Sequence, residues 1–216
     1  MRTPWFPFLT LCLDALPRPA AMNMAVDQAW LETTGVPVLR VYQWDQPSIS
    51  IGYSHDWQAL KGGLPPWPVV RRWTGGGVVW HDSDTTYSLI VPAAEAWSRT
   101  RPLESYQLIH QSLAEQLGGG LAGEADRREG ALCFQAPALH DLMREGEKIA
   151  GAGQRRSRHG LLHQGSIRLR LGAEFWQAWA GRIAAEVEVI SAPDGPTLAL
   201  AQELVASRYG TSDWLR

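Results

Sequence analysis

Cysteine is nearly missing from this sequence. Cys12 and Cys133 are the only two, too few and too far apart for a disulfide framework, so a stapled secreted scaffold is excluded and two buried thiols in a reducing compartment are expected. Lysine is almost as scarce: Lys61 and Lys148 stand alone among twenty basic residues, and the rest are arginine. No run approaches the roughly 18 apolar residues that cross a bilayer. The opening MRTPWFPFLTLCLDALP is apolar enough to suggest a leader, but Pro4 and Pro7 interrupt it, Asp14 ends it, and no small-x-small site follows. It reads as a first strand, in a cytoplasmic protein with no membrane partner. A net charge of −2 supplies no basic field for nucleic acid. The stretch RRWTGGGVVWHD, residues 71–82, is neither GxGxxG nor GxxxxGK[ST], so it is not one of the common nucleotide loops. With no internal repeat or linker, residues 1–216 read as one domain without a C-terminal accessory domain.

Eleven tryptophans are present, and most must pack or line a cleft. PAAMNMAVDQAWLETTG places Met22, Val26 and Trp30 on one helical face, with Gly35 as terminator. VLRVYQW and SISIGYS read as short strands joined at Pro47, and GGLPPWP as a rigid loop. VVRRW, GVVWHD and TYSLIVP give three more strands. A helix is predicted over Pro102–Leu117, with Leu103, Tyr106, His110, Leu113 and Leu117 on one side. GGGLAGEADRREG has the composition of a flexible loop. LHDLMREGEKIAGAGQRR looks like a hairpin turning at EGE, and GLLHQGSIRLRL is another strand. Two helices are expected to close the chain: one carrying Phe175, Trp179 and Ile183, the other running from near Pro196 to Gly210. Hairpins outnumber strand–helix–strand units, which predicts an α+β fold with a mixed, largely antiparallel sheet flanked by helices.

RRWTGGGVVWHD, residues 71–82, interrupts the strands with three successive glycines. Glycine lets a ligand approach the backbone, and three in a row exceed what a turn needs. The stretch forms a backbone ledge, with Arg72 on one side and His81 and Asp82 on the other, suited to an elongated ligand with an anionic or carbonyl-bearing head.

That stretch resembles the signature of the biotin/lipoate protein ligase and octanoyltransferase superfamily, R-R-x-[ST]-G-G-G-x-V-x-H-D. MNMAVDQAW, VLRVYQWDQPSISIGYS and GEKIAGAGQRR resemble its other motifs in the same order, so the likeness spans roughly residues 20–170. It implies a class II aminoacyl-tRNA synthetase/biotin synthetase-like fold. It also implies that Arg72, Thr74, Gly75, Gly76, Gly77, His81, Gly151, Gln154 and Gly165 contact an acyl substrate. Lys148 would match the family lysine that points at the acyl carbonyl, where a fixed cation stabilises developing negative charge. The family's basic biotin loop is absent.

Two chemistries share such a scaffold. Ligases activate an acid with ATP and Mg²⁺; octanoyltransferases take the acyl group from acyl carrier protein and need no cofactor. CFQAPALHDL, beginning at Cys133, resembles the nucleophile segment C-F-x-x-P-[SA]-x-Y-[ED]-L of the second kind, with His140 where tyrosine is common. The resemblance therefore implies an octanoyl or lipoyl transferase working through a Cys133 thioester. Its partners would be acyl carrier protein and lipoyl-type domains, such as glycine cleavage protein H and those of 2-oxoacid dehydrogenase complexes. An ATP-dependent lipoate–protein ligase is the alternative; a lipoyl-domain amidotransferase and a non-catalytic acyl-carrier binder stand behind it.

The sequence departs from the pattern in two places. Gly153 stands where alanine is usual, and LLHQGSI puts Gln164 before Gly165, with the expected histidine one place early at His163. A one-residue shift on a strand sends a side chain to the opposite face, so His163 reads as a half-buried structural residue unless a bulge re-aims it. Arg155, Arg156 and Arg158 could lower a nearby thiol's pKa or form an electropositive rim for acidic carriers.

Overall fold

The computed structural model describes residues 3–126 and 137–216; Cys133 lies outside the described residues. In chain order the elements are β1 (Phe6–Leu13), α1 (Ala20–Thr33), β2 (Val38–Tyr42), β3 (Ser48–Ile51), α2 (Trp57–Leu60), β4 (Val69–Arg71), β5 (Val79–His81) and β6 (Thr85–Pro92). They continue with α3 (Pro102–Leu117), β7 (Gly120–Leu121), β8 (Leu142–Arg144), β9 (Glu147–Ser157), β10 (Gly160–Ile167), α4 (Ala173–Ile183), β11 (Ala184–Ile190), α5 (Gly195–Leu204) and α6 (Ser212–Leu215).

The strands form an eight-stranded sheet in the order β11-β1-β2-β6-β10-β9-β8-β7 and a three-stranded sheet in the order β4-β3-β5. In the large sheet only β11–β1 and β1–β2 pair in parallel, which is the mixed, largely antiparallel arrangement expected. The β8–β9 hairpin turns at Glu145–Gly146, whose φ values of 54° and 81° suit a tight two-residue turn.

Alternation along the strands builds two cores. On β6 and β10, Leu89 and Leu161 pack with Trp176, Trp179 and Ile109 of the flanking helices. Their neighbours Ile90 and Leu162 point the other way, onto Met24 and Trp30 of α1. Leu103 of α3 is exposed, although the periodicity put it on the apolar side. Helix α1 has no simple apolar stripe: Asn23 through Leu31 are all buried, because α5 covers the side that a surface helix would show to water.

Two sequence expectations are corrected here. The chain does not close with two helices alone: β11 follows α4 without a connecting residue and pairs with β1. Its alternation of Glu186 and Glu188 with Val187 and Val189 suits a sheet edge, where acidic residues discourage further pairing. Gly120–Leu121, read as loop, forms a short strand with β8. The last predicted helix is α5 continued by a π-helical turn, Val205–Tyr209, and stops at Gly210 as expected.

Candidate active site

The glycine stretch connects β4 to β5 and lies between the two sheets. It makes a backbone-on-backbone contact with both. A Cβ on Gly52 would stand 1.8 Å from the Gly76 carbonyl oxygen, and one on Gly153 would stand 2.3 Å from that of Gly75. Gly76 itself has φ 90°, a conformation L residues rarely adopt. The departure from alanine at position 153 thus has a local cause: the ledge rests directly on β9.

The two arginines before the glycines do different work. The Arg71 guanidinium donates to the carbonyls of Tyr53 and His55 and to those of Trp214, Leu215 and Arg216. That of Arg72 turns inward and donates to Ser50 O, Ser50 Oγ, Gly75 O and Gly77 O at 2.8–3.1 Å. Arg72 therefore shapes the ledge by holding its carbonyls.

Thr74 ties the ledge to the body of the protein. Its Oγ1 donates to Gln164 Oε1 at 2.8 Å, and Gln164 Nε2 donates to Asp27 Oδ2 at 2.7 Å. Asp27 in turn pairs with the fully buried Arg40 at 2.9 Å, and Arg40 also pairs with Asp14 at 2.8 Å. A continuous polar chain so runs from β2 through α1 and β10 to the glycines. Buried charges require such pairing, and Arg40 in VLRVY together with Asp27 in MNMAVDQAW, polar residues inside apolar elements, was the signal for it. Sequence reasoning missed the network.

Between the ledge and the face of β9 and β10 opens a cavity of about 110 Å³. Of the residues singled out in the sequence, Arg72, Gly76, Gly77, His81, Lys148, Gly151 and Gly165 line it. Thr74, Gly75 and Gln154 are not among its lining residues. Thr74 and Gly75 support the ledge from behind, and Gln154 is turned away: it shares the face of His163, to which it bonds at 3.1 Å, and accepts from Ser105 on α3.

His163 is fully buried rather than half-buried. The β6–β10–β9 pairing runs without a bulge, His163 opposite Leu89 and Gln154, so Gln164 faces the cavity and His163 the far core. Its Nε2 meets the Tyr87 hydroxyl at 3.1 Å. Burial, helped by His110 and Arg156, holds its pKa well below the ordinary imidazole value, which leaves it neutral near pH 7.

His81 is stacked on Trp44, with ring centroids 4.0 Å apart, and its two nitrogens meet Ser50 Oγ at 2.7 Å and Asp84 Oδ2 at 2.8 Å. Burial opposes ionisation of Asp84, but His81 and the hydroxyls of Ser166 and Thr86 outweigh it and hold that carboxyl below its usual range.

Lys148 sits at the start of β9, its side chain mostly buried, with Nζ 2.7 Å from Asp141 Oδ2. Tyr106 and Asp141 line the cavity beside it. The run 155–158 does not form one cluster. Arg155 lies over the rings of Tyr53 and Trp73, Arg156 crosses to the carbonyls of Ser98 and Thr100, and Arg158 contacts His159. Alternation along β9 separates Arg155 from Arg156, and Arg158 lies in the turn between β9 and β10. The other cysteine, Cys12, is buried in β1, and desolvation pushes its thiol up to about 12, so it is inert. Among the described residues no group of three or more His, Cys, Asp or Glu could hold a metal ion, and no helix is long and apolar enough to cross a membrane.

Residues 19–184 match the family described as the lipoyl protein ligase A/B catalytic domain. The chain is 34% identical over 178 residues to the octanoyltransferase LipM of Oceanobacillus iheyensis and 37% identical over 180 residues to that of Geobacillus kaustophilus. These alignments cover 75% and 72% of the chain but only 64% of either relative. The LipM of Brevibacillus brevis aligns more fully, at 30% identity over 90% of the chain and 94% of the relative. Among solved structures, protein Ta0514 of T. acidophilum with bound lipoic acid superposes with a TM-score of 0.71 at 18% identity, covering 97% of this chain and 98% of that one. A lipoate-protein ligase A bound with ATP gives 0.69 at 18% identity and the same coverage. At such identities the structures establish the fold, the lipoate-ligase arrangement of a mixed sheet flanked by helices.

Proposed function

The chain belongs to the lipoyl protein ligase A/B catalytic domain family, and from that premise we propose that it is an acyltransferase of protein lipoylation. It moves an octanoyl or lipoyl group from acyl carrier protein, through a thioester on Cys133, to a lysine of a lipoyl-type domain. The observation that carries this reading is the placement of Lys148: an ammonium, paired with Asp141, at the wall of a glycine-roofed cavity.

In this scheme the acyl chain lies along the ledge and its carbonyl approaches Lys148. The Cys133 thiolate attacks the carrier thioester, and Lys148 stabilises the oxyanion that develops. The carrier thiolate leaves, taking up a proton, and the acyl group remains on sulfur. The neutral amine of the acceptor lysine then attacks the same carbonyl, the Cys133 sulfur departs as the thiolate, the amine gives up a proton to solvent, and an amide is released. Two carriers visiting one site in turn predicts ping-pong kinetics.

The names of the LipM relatives support the transferase, as does the cysteine segment quoted above. The ligase alternative would bring a triphosphate and Mg²⁺ to the same ledge, where Arg72 already donates to four protein oxygens. The test is incubation with octanoyl-acyl carrier protein and a lipoyl domain without ATP, followed by intact mass. Octanoyl transfer that is lost in Cys133→Ala, with the acyl-enzyme trapped in the absence of acceptor, supports the proposal. Activity only with lipoate, ATP and Mg²⁺, surviving Cys133→Ala, would replace it with the ligase.

A further inference from the structure

The cavity wall opposite the glycines holds a buried carboxylate that the acyl-transfer scheme does not use. Asp141 is 1% exposed. Its Oδ2 meets Lys148 Nζ at 2.7 Å and accepts from the Ala138 amide at 2.7 Å, while Oδ1 accepts from the Tyr106 hydroxyl at 2.5 Å. Tyr106 is held in turn by the Ala152 amide, which donates to its oxygen at 3.0 Å. Burial and the adjacent Asp141 raise the Tyr106 pKa well above its ordinary value, so it stays a phenol and a donor.

The lysine is confined from a second side. A Cβ on Gly151 would lie 2.8 Å from Lys148 Cε and 3.0 Å from Nζ, so the side chain lies across β9 in space that only glycine leaves. The residue before Asp141 is also constrained. His140 has φ 68°, a conformation costly for a non-glycine residue and maintained only when its surroundings over-determine it. Its amide donates to Ala122 O at 2.9 Å, and its carbonyl accepts from His110 Nδ1 at 2.7 Å. Burial lowers the His110 pKa to about 4, which keeps that ring neutral near pH 7. Tyr106 and His110, one helical turn apart on α3, thus grip successive residues, and the outcome of both grips is the aim of one carboxylate.

We infer that Asp141 is the positioning residue of Lys148, fixing where the ammonium points and keeping it from acting as a nucleophile itself, with Tyr106 orienting the carboxylate. The catalytic half of this inference rests on the acyl-transfer reading; the placement of the lysine does not. Asparagine keeps only one of the two acceptor oxygens, so Asp141→Asn also costs the Ala138 or the Tyr106 bond; a purely structural Asp141 would show that cost as lost stability with the reactivity of Lys148 unchanged.

Asp141→Asn, Asp141→Glu and Tyr106→Phe separate these roles. Two readouts are used: steady-state transfer, and competitive acetylation of the native protein by limiting acetic anhydride. Lys61, exposed and the only other lysine, is the internal standard for the second. Asp141→Asn should lower kcat about 100-fold while KM for either carrier changes less than about 3-fold, the pattern of an interaction made in the transition state. Acetylation of Lys148 relative to Lys61 should rise about 5-fold or more, as an amine released from its carboxylate becomes the better nucleophile. Tyr106→Phe, which removes one hydrogen bond and keeps the ring, should move both readouts in the same direction by less, and Asp141→Glu should restore part of each. An unchanged acetylation ratio in both Asp141→Asn and Tyr106→Phe would overturn the inference, as would kcat within about 3-fold of the unsubstituted protein in an active preparation. Absence of transfer in the unsubstituted protein would sink the activity reading instead, with the acetylation ratio still deciding the placement.

Discussion

The two sides of the cavity are built on opposite terms. On the ledge, residues 72–77, hydrogen bonds link the polar groups back to the protein: Arg72 to Ser50, Gly75 and Gly77, and Thr74 to Gln164. On the opposite wall a lysine, a carboxylate and a phenol stand at the cavity surface. The ledge supplies shape through main chain; the wall supplies charge through side chains. A surface whose hydrogen-bonding groups are already engaged suits an aliphatic chain, and under the proposed reading the Lys148 ammonium suits the carbonyl at its end.

The largest expected effect tests the wall. Lys148→Ala should reduce kcat by roughly 10³-fold, in the range for losing an oxyanion donor, measured by single-turnover transfer. It should also cost about 3 kcal/mol of stability in urea unfolding, because Asp141 is left buried without its cation. The ledge is tested by a pair of substitutions. Gly52→Ala forces a methyl into the Gly76 carbonyl and should cost about 3 kcal/mol. Gly75→Ala, with no atom within 4 Å of the added Cβ, should change stability by less than about 0.5 kcal/mol. Equal effects would break the account of the ledge as backbone packed on backbone.

Gln164→Leu should follow, costing about 2 kcal/mol because Thr74 loses its acceptor and Asp27 one of its donors, and raising KM for the acyl donor more than it lowers kcat. The smallest effect on activity is expected at His163. His163→Gln should leave the pH profile of transfer in place, since the ring faces the core. Its signature is in stability. The imidazole is held below its unfolded pKa, so its contribution is full above roughly pH 6.5 and is lost as pH falls, at up to about 1.4 kcal/mol per pH unit. Urea unfolding between pH 7 and 5 should therefore show a shallower acid loss in the variant. A basic or acidic limb of the rate profile that moves in His163→Gln would place the ring in the chemistry after all.

Much of this was legible in the sequence because it rests on local grammar. Period-two apolar runs gave β6 and β10, the EGE turn gave the β8–β9 hairpin, and the shift from His163 to Gln164 posed the question of facing that the bulge-free pairing of β10 answers. What escaped is what tertiary packing decides. The strand β11 continues α4 with no turn residue to mark the change. Gln154 fits the motif yet points to the far core, because the parity of a strand is fixed only once its partners are known. The link between Asp141 and Lys148 depends on a left-handed residue, His140, which composition does not reveal. Arg155, Arg156 and Arg158 read as one patch, yet the pleat deals the first two to opposite faces and the third falls in the β9–β10 turn.

The contact of Gly52 with Gly76 and of Gly75 with Gly153 also bears on how this chain can change over time. Most crowded sites in proteins tolerate a larger residue once a neighbour is trimmed, and drift proceeds by such exchanges. Here the obstacle to a new methyl group is a peptide carbonyl on each side, and a carbonyl has nothing to trim. A lesion at Gly52 or Gly153 should have no single second-site suppressor, so a selection for revertants should return the original glycine codon or nothing.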